Sequence, residues 1–121
     1  MTERRRLDNR RYSETFSIQC AGLPYTCTWS PRDDGSIGEI FIDNHKSGTA
    51  ADTAARDSAI VFSIAVQFGA DPETIRRALC RDVRGNPSGP LGVALDTLAA
   101  SITDIQPMQD RGTTPGGKDA P

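Results

Sequence analysis

The sequence predicts an α+β fold, a three-stranded antiparallel β-meander followed by three helices packed on one sheet face. Apolar and polar residues alternate through the first third of the chain, which is the period of strands with one buried face. From residue 49 onward, apolar residues instead recur every three or four positions, which is the period of helices. A length of 121 residues suits one domain with one modest core.

Three segments alternate and predict strands: Thr15 to Cys20, Tyr25 to Trp29 and Ile37 to Asp43. Turn residues separate them at Ala21 to Pro24 and at Pro31 to Gly35. Because both connections are short, the strands pair as an antiparallel meander. Its apolar face must be covered by helices.

The first helix is expected to begin at Thr49 as N-cap and to end at about Phe68, before Gly69. Asp52, three residues after the cap, is a weak form of the capping box. The run from Ile60 to Val66 is apolar on most sides of this helix, which predicts a central position. Its inward stripe is predicted as Ala51, Ala55, Ser58, Phe62, Ala65 and Phe68, and Asp52, Arg56 and Asp57 are expected on the solvated or ion-paired side.

Two further helix starts are visible. Asp71 followed by Pro72 and Glu73 combines an N-cap, a proline at the first helical position and an acid in the first turn. This short helix should end near Cys80. Pro90 opens the last helix, which carries leucines at helical spacing.

The chain divides into a flexible basic arm over residues 1–12, the α+β domain over 13–104 and a disordered tail over 105–121. The net charge of −2 creates no global field that demands nucleic acid. Five arginines crowd the arm, and their preferred interpretation is a solubilising leader, with a nucleic-acid contact as the alternative. No apolar run reaches bilayer length, no secretory h-region is visible and the cysteine count is odd, so we expect a cytoplasmic protein without a membrane contact.

The cysteines and the single histidine allow a metal hypothesis. A Cys3His zinc site would use Cys20, Cys27, Cys80 and His45 together. The competing interpretation treats the cysteines as small apolar residues that fill strand and helix faces, and His45 as part of a polar surface turn.

The turn before the first helix is a candidate anion, nucleotide or partner contact. Free backbone N–H groups and the positive end of the helix dipole favour a phosphate or carboxylate, and Lys46 adds a charge. The candidate residues are Lys46, Ser47, Gly48 and Thr49. The competing interpretation is ordinary helix capping, and the order of residues is not that of a P-loop.

Several motifs together resemble one known family. They are Glu39-Ile40-Phe41-Ile42, Lys46-Ser47-Gly48, Ala54-Ala55-Arg56-Asp57 and Gly69-Ala70-Asp71-Pro72-Glu73-Thr74-Ile75. In this order and spacing they resemble the TSCPD domain over about residues 14–102. That module is found at the C-terminal end of vitamin B12-dependent (class II) ribonucleotide reductases and as short stand-alone proteins.

The motif that names the family matches in part. Ser88 and Pro90 agree with it, whereas Gly89 and Leu91 replace its cysteine and aspartate. A thiol or metal role of that cysteine therefore does not carry over, and the two matching residues suit a helix entrance.

The resemblance implies the setting of ribonucleotide reduction and deoxyribonucleotide supply, with a reductase catalytic subunit or a nucleotide as partner. It implies an accessory or binding module, because the chain has no room for the catalytic barrel. Adenosylcobalamin belongs to the full-length reductases, and no cofactor is expected in this chain. The alternatives are a metal- or thiol-dependent protein and a nucleic-acid binder, and an exposed sheet edge makes a homodimer through that edge a further possibility.

Overall fold

The computed structural model describes residues 3–8, 11–46 and 48–105. The predicted tail from residue 106 lies outside the described residues. Three strands are followed by three helices: β1 Glu14–Cys20, β2 Leu23–Pro31, β3 Ile37–Asn44, α1 Ala50–Gln67, α2 Pro72–Ala78 and α3 Pro90–Ile105. The predicted α+β class is confirmed.

The sheet has the order β1-β2-β3, and both pairs are antiparallel. Ala21 and Gly22 form a two-residue connection between β1 and β2, with φ of 52° and 80°. Positive φ at both central residues matches the twist of the flanking strands. Pairing therefore begins at Leu23, opposite Cys20, and β2 starts two residues earlier than the sequence predicts.

One apolar core lies between the inner sheet face and the helices α1 and α3. The short helix α2 packs on α3 and has no fully buried residue of its own. The core residues come from every strand and from both long helices, and they include Ile18, Cys27, Ile40, Ile42, Ala55, Ala59, Phe62, Val66, Ala94, Leu95 and Leu98. The opposite sheet face is polar apart from Phe41, which is 46% exposed beside Thr28.

Helix α1 runs along the free edge of β3 and bonds to its backbone. The Ser63 hydroxyl accepts from the amide of Ile40 at 2.9 Å and donates to the carbonyl of the same residue at 3.0 Å. Further along, Gln67 Nε2 donates to the carbonyl of Gly38 at 3.0 Å. A third polar residue of α1, Asp52, accepts from the amide of Asn44 at 2.9 Å.

These three contacts explain why polar side chains are buried in α1. Unpaired N–H and C=O groups of an edge strand need partners once a helix excludes water from them. The spacing also fits: the 15 residue-to-residue steps of helix from Asp52 to Gln67 rise about 22 Å. The six steps of strand from Asn44 back to Gly38 span about 20 Å.

The predicted orientation of α1 is therefore wrong in part. Ala55 and Phe62 face inward as expected, but Phe68 is exposed and Asp52 is buried. The helix is not central, because its far side faces solvent. Four large apolar residues lie there, with exposed fractions between 36% and 66%: Ile60, Val61, Ile64 and Phe68. We call these four residues the outer band of α1.

The described part of the N-terminal arm contacts the end of α1. Arg4 Nε donates to Oε1 of Gln67 at 2.8 Å, and the amide of Arg5 donates to the carbonyl of Gln67 at 2.7 Å. The Arg32 guanidinium donates to the carbonyl of Val66. Positive groups thus surround the end of the helix where its carbonyls lack partners.

An ion network attaches α2 and the following loop to α3. Asp96 on α3 accepts two hydrogen bonds from Arg81, at 2.7 and 2.8 Å, and one from Arg76 at 2.8 Å. Arg76 also pairs with Glu73. Hydrogen bonds from Arg81, with a smaller contribution from Arg76, lower the pKa of Asp96 to about 2.

None of the described helices combines the length and the apolar character needed to cross a membrane.

Replacing Ser63 tests the edge contact. Ser63→Ala leaves both backbone groups of Ile40 without their partner, and we expect a loss of about 1–3 kcal/mol in the free energy of unfolding. Ser58→Ala is the matched control, because Ser58 bonds only within its own helix, to the carbonyl of Ala55. Urea titrations of both variants would measure the difference, and equal stabilities would contradict the role of Ser63.

The Asp96 network predicts a specific acid dependence. Because the pKa of Asp96 is lower in the folded chain than its ordinary value of 3.8, its stabilisation is complete above about pH 4. It is lost as the pH falls from about 4 toward 2. In Asp96→Asn we expect a lower stability at neutral pH and a flatter decline over that window, measured by urea unfolding at several pH values. The exposed Asp33→Asn variant is the control, and a decline as steep in Asp96→Asn as in the unchanged protein would refute this account.

Candidate functional site

The candidate site is the turn that joins β3 to α1, and the last residue of β3 shapes it. Asn44 is buried, and its Nδ2 donates to the carbonyl of Pro24 at 3.0 Å. Its Oδ1 accepts from the amide of Lys46 at 2.9 Å. This local bond makes an Asx turn, which reverses the chain immediately after the strand.

Thr49 is the N-cap of α1, as the sequence predicts. Its hydroxyl accepts from the amide of Asp52 at 3.1 Å and donates to the carbonyl of Lys46 at 3.0 Å. Gly48, with φ of +83°, supplies the left-handed conformation that brings the chain to this cap. Ser47 lies outside the described residues.

Asp52 holds the turn from the interior of the fold. The sequence predicted it on the solvated or ion-paired side of α1; the ion pair with Arg56 is present, but Asp52 is only 2% exposed, so a solvated position is wrong. Its carboxylate accepts from the amides of Asn44 and Gly48, at 2.9 and 3.3 Å, and from Arg56 Nε at 2.9 Å. The bond from the Asn44 amide, followed by those from Arg56 and Gly48, lowers the pKa of Asp52 and keeps it ionised.

This arrangement decides what the turn offers to a ligand. The amides of Asn44, Lys46, Gly48 and Asp52 already donate to acceptors within the chain. The Asp52 carboxylate lies beside the helix start, where an anion would otherwise be favoured. The groups that remain open to solvent include the exposed side chains of His45 and Lys46. The turn thus presents cationic and polar side chains on a fixed backbone.

A clue to Asp52 was present in the sequence. Asp52 lies three residues after the cap Thr49, among alanines, and Arg56 follows it four residues later. A short turn separates this helix start from the preceding strand, which ends at Asn44. Side-chain pairs at this spacing meet on a helix. The pattern shows the pairing with Arg56, and it does not show that the strand end needs an acceptor.

The candidate metal ligands lie apart. Cys27 is opposite Phe16 and Cys20 is opposite Leu23, so the two thiols are separated by four positions of β1, about 13 Å. Both are buried, and burial raises the pKa of Cys27 to about 12. Cys80 and His45 are exposed. Within the part of the chain that the structure describes, no three His, Cys, Asp or Glu residues are grouped as a metal site requires.

Ser88 and Pro90, the two motif positions of the sequence resemblance, lie at the entrance of α3. Pro90 is the first residue of α3, which confirms the predicted helix entrance. The amide of Ser88 donates to the carbonyl of Cys80 at 2.9 Å, and the Ser88 carbonyl accepts from the thiol of Cys20 at 3.7 Å. Gly92 lies against Pro87, where an added Cβ would be 2.8 Å from the Pro87 Cβ. This loop therefore has a structural role in seating α3 beside β1.

Comparison with known proteins finds relatives that cover most or half of this chain. The chain is 33% identical over 105 residues to the vitamin B12-dependent ribonucleotide reductase of Bradyrhizobium diazoefficiens, covering 86% of this chain and 8% of that protein. It is 39% identical over 67 residues to the protein of the same name from Agrobacterium fabrum, covering 55% of this chain and 5% of that protein. The chain is thus related in sequence to a segment of these reductases, and it spans less than a tenth of their length.

Two other comparisons give no further assignment. No protein-family model matches the chain. No solved structure matches it either.

Replacing Asp52 tests how the turn is held. Asp52→Ala removes the acceptor of two backbone amides and the partner of Arg56, so we expect the thermal midpoint to fall by several degrees. Asp33→Ala, an exposed carboxylate in the connection between β2 and β3, should leave the midpoint nearly unchanged. Circular dichroism melts of both variants would measure this, and similar midpoints would show that Asp52 does not hold the turn.

Proposed function

We propose that this chain is a TSCPD-type accessory module that binds the catalytic part of a vitamin B12-dependent ribonucleotide reductase in the cytoplasm. In this proposal it serves deoxyribonucleotide supply and catalyses no reaction alone. The observation that carries the proposal is the similarity to such reductases over 86% of this chain and only 8% of the relative. A segment that small in an enzyme that long is more suited to an attached module than to its catalytic centre.

The chemistry of the described residues agrees with an accessory role. Two of the three thiols are buried, Cys20 at the hairpin end of the β1–β2 pair and Cys27 in the middle of β2, and the third is exposed on the surface. These positions do not fit a set of cysteines that would work together on one substrate. Adenosylcobalamin and the reaction therefore belong to the partner in this proposal.

The turn at Lys46 is our proposed contact with that partner or with a nucleotide that it carries. Its backbone is fixed by Asn44, Thr49 and Asp52, so the exposed Lys46 side chain starts from a defined position. A preorganised contact loses less entropy when it binds than a flexible one does. Lys46 offers one positive charge to a phosphate or carboxylate.

Affinity capture tests the proposed function. The tagged full-length chain should recover the vitamin B12-dependent ribonucleotide reductase from extracts of its own cells, identified by mass spectrometry. Lys46→Ala should reduce recovery by up to about fivefold, the effect of one exposed ion pair. Arg84→Ala removes an exposed charge elsewhere and is the matched control. If the unchanged chain recovers no reductase, the accessory role is wrong; if both variants recover it equally, the contact lies away from Lys46.

A further inference from the structure

The outer band of α1 is an apolar surface that the proposed function does not use. Ile60, Val61, Ile64 and Phe68 keep between 36% and 66% of their surface exposed. Beside them lies a groove of about 560 Å³ between α1 and the α2–α3 pair, whose walls are mainly apolar side chains including Val61, Ala65, Ile75 and Leu79, with Asp57 and Ser58 also lining it. A continuous apolar surface of this kind is typical of a protein–protein interface.

We propose that a second copy of this chain covers this surface, through an antiparallel pairing of the two α1 helices about a two-fold axis near Val61. Val61 is the most exposed residue of the band and also lines the groove, which places it at the middle of the apolar surface. A two-fold interface uses the same patch on both copies, so the patch must fit itself.

The sizes of the side chains along α1 meet this requirement. On the side of α1 that carries the outer band, two turns before Val61, the exposed residue is the small Ala54, whereas Ile64 and the C-cap residue Phe68 after Val61 are large. The other exposed residues of the first half include the charged Arg56 and Asp57. With the axis at Val61, Ala54 of one copy faces Phe68 of the other. A small residue of each helix then receives a large residue of its partner, which allows the helices to approach closely.

The charges on α1 also suit a patch that pairs with itself. Between Asp57 and Gln67 the helix has no charged residue. Asp57 is exposed in the first half, and Arg4 and Arg5 lie at Gln67 at the opposite end. In the antiparallel pair, Asp57 of each copy lies toward the arginines of the other, and the two helix dipoles oppose each other.

The sheet edge beside α1 is a poorer surface for a second copy. On β3 the backbone groups of Gly38, Ile40 and Asn44 already bond to side chains of α1. A strand added there would have to displace the helix. On this side of the molecule α1, with its apolar outer band, is the element that meets the solvent.

The test compares two valine-to-aspartate variants by size-exclusion chromatography with light scattering, using the full-length chain at micromolar concentrations. The unchanged protein should have about twice the chain mass of 13.0 kDa. Val61→Asp places a charge at the centre of the apolar interface and should give the monomer mass. Val83 is fully exposed in the loop after α2, so Val83→Asp is the matched control and should stay dimeric.

Three outcomes would overturn the proposal. They are a monomeric unchanged protein, a Val61→Asp variant that stays dimeric, and an equal loss of the dimer in both variants. Because Val61 is exposed in the single chain, Val61→Asp should keep the circular dichroism spectrum and the urea midpoint of a folded protein. If the protein is monomeric and Val61→Asp abolishes capture of the reductase, the outer band binds the reductase. This result would reject the second copy and would leave the accessory function standing.

Discussion

The structure depends on one contact, the closure of the β3 edge by the buried polar side chains of α1. Asp52, Ser63 and Gln67 bond to backbone groups spread over most of β3. Because helix and strand advance at different rates per residue, these partners meet only when α1 lies antiparallel to β3 in one register. That register fixes which side of α1 meets the core, where the helix begins and where it ends.

The candidate site follows from the first of these three bonds. Asp52 joins the end of β3 to the start of α1, and it holds the amide of Gly48 as well. A helix start with free amides favours an anion, whereas here the Asp52 carboxylate lies beside the helix start and already accepts from the amides of Asn44 and Gly48. The exposed Lys46 and His45 side chains therefore lie on a turn whose backbone is fixed by buried hydrogen bonds and whose surface is polar.

The last of the three bonds links the sheet to the N-terminal arm. Gln67 donates to β3 through its Nε2 and accepts from Arg4 through its Oε1, so one buried amide joins the strand, the helix end and the arm. The arm, predicted as a flexible segment, thus brings its positive charge to the end of α1. With the polar side of α1 committed to β3, its apolar outer band faces away from the sheet and creates the surface that we assign to a second copy.

The sequence by itself determined the order and type of the elements, because local chemistry defines them. Alternation gave the strands, and Thr49, Asp71 and Pro90 marked the helix starts through bonds and torsions within a few residues. Only the tertiary structure decided which side of α1 is buried. Hydrophobic periodicity favoured Phe68 inside and Asp52 outside, yet the unpaired amides and carbonyls of β3 required polar partners there. That requirement belongs to a strand distant in sequence, and no pattern within the helix contains it.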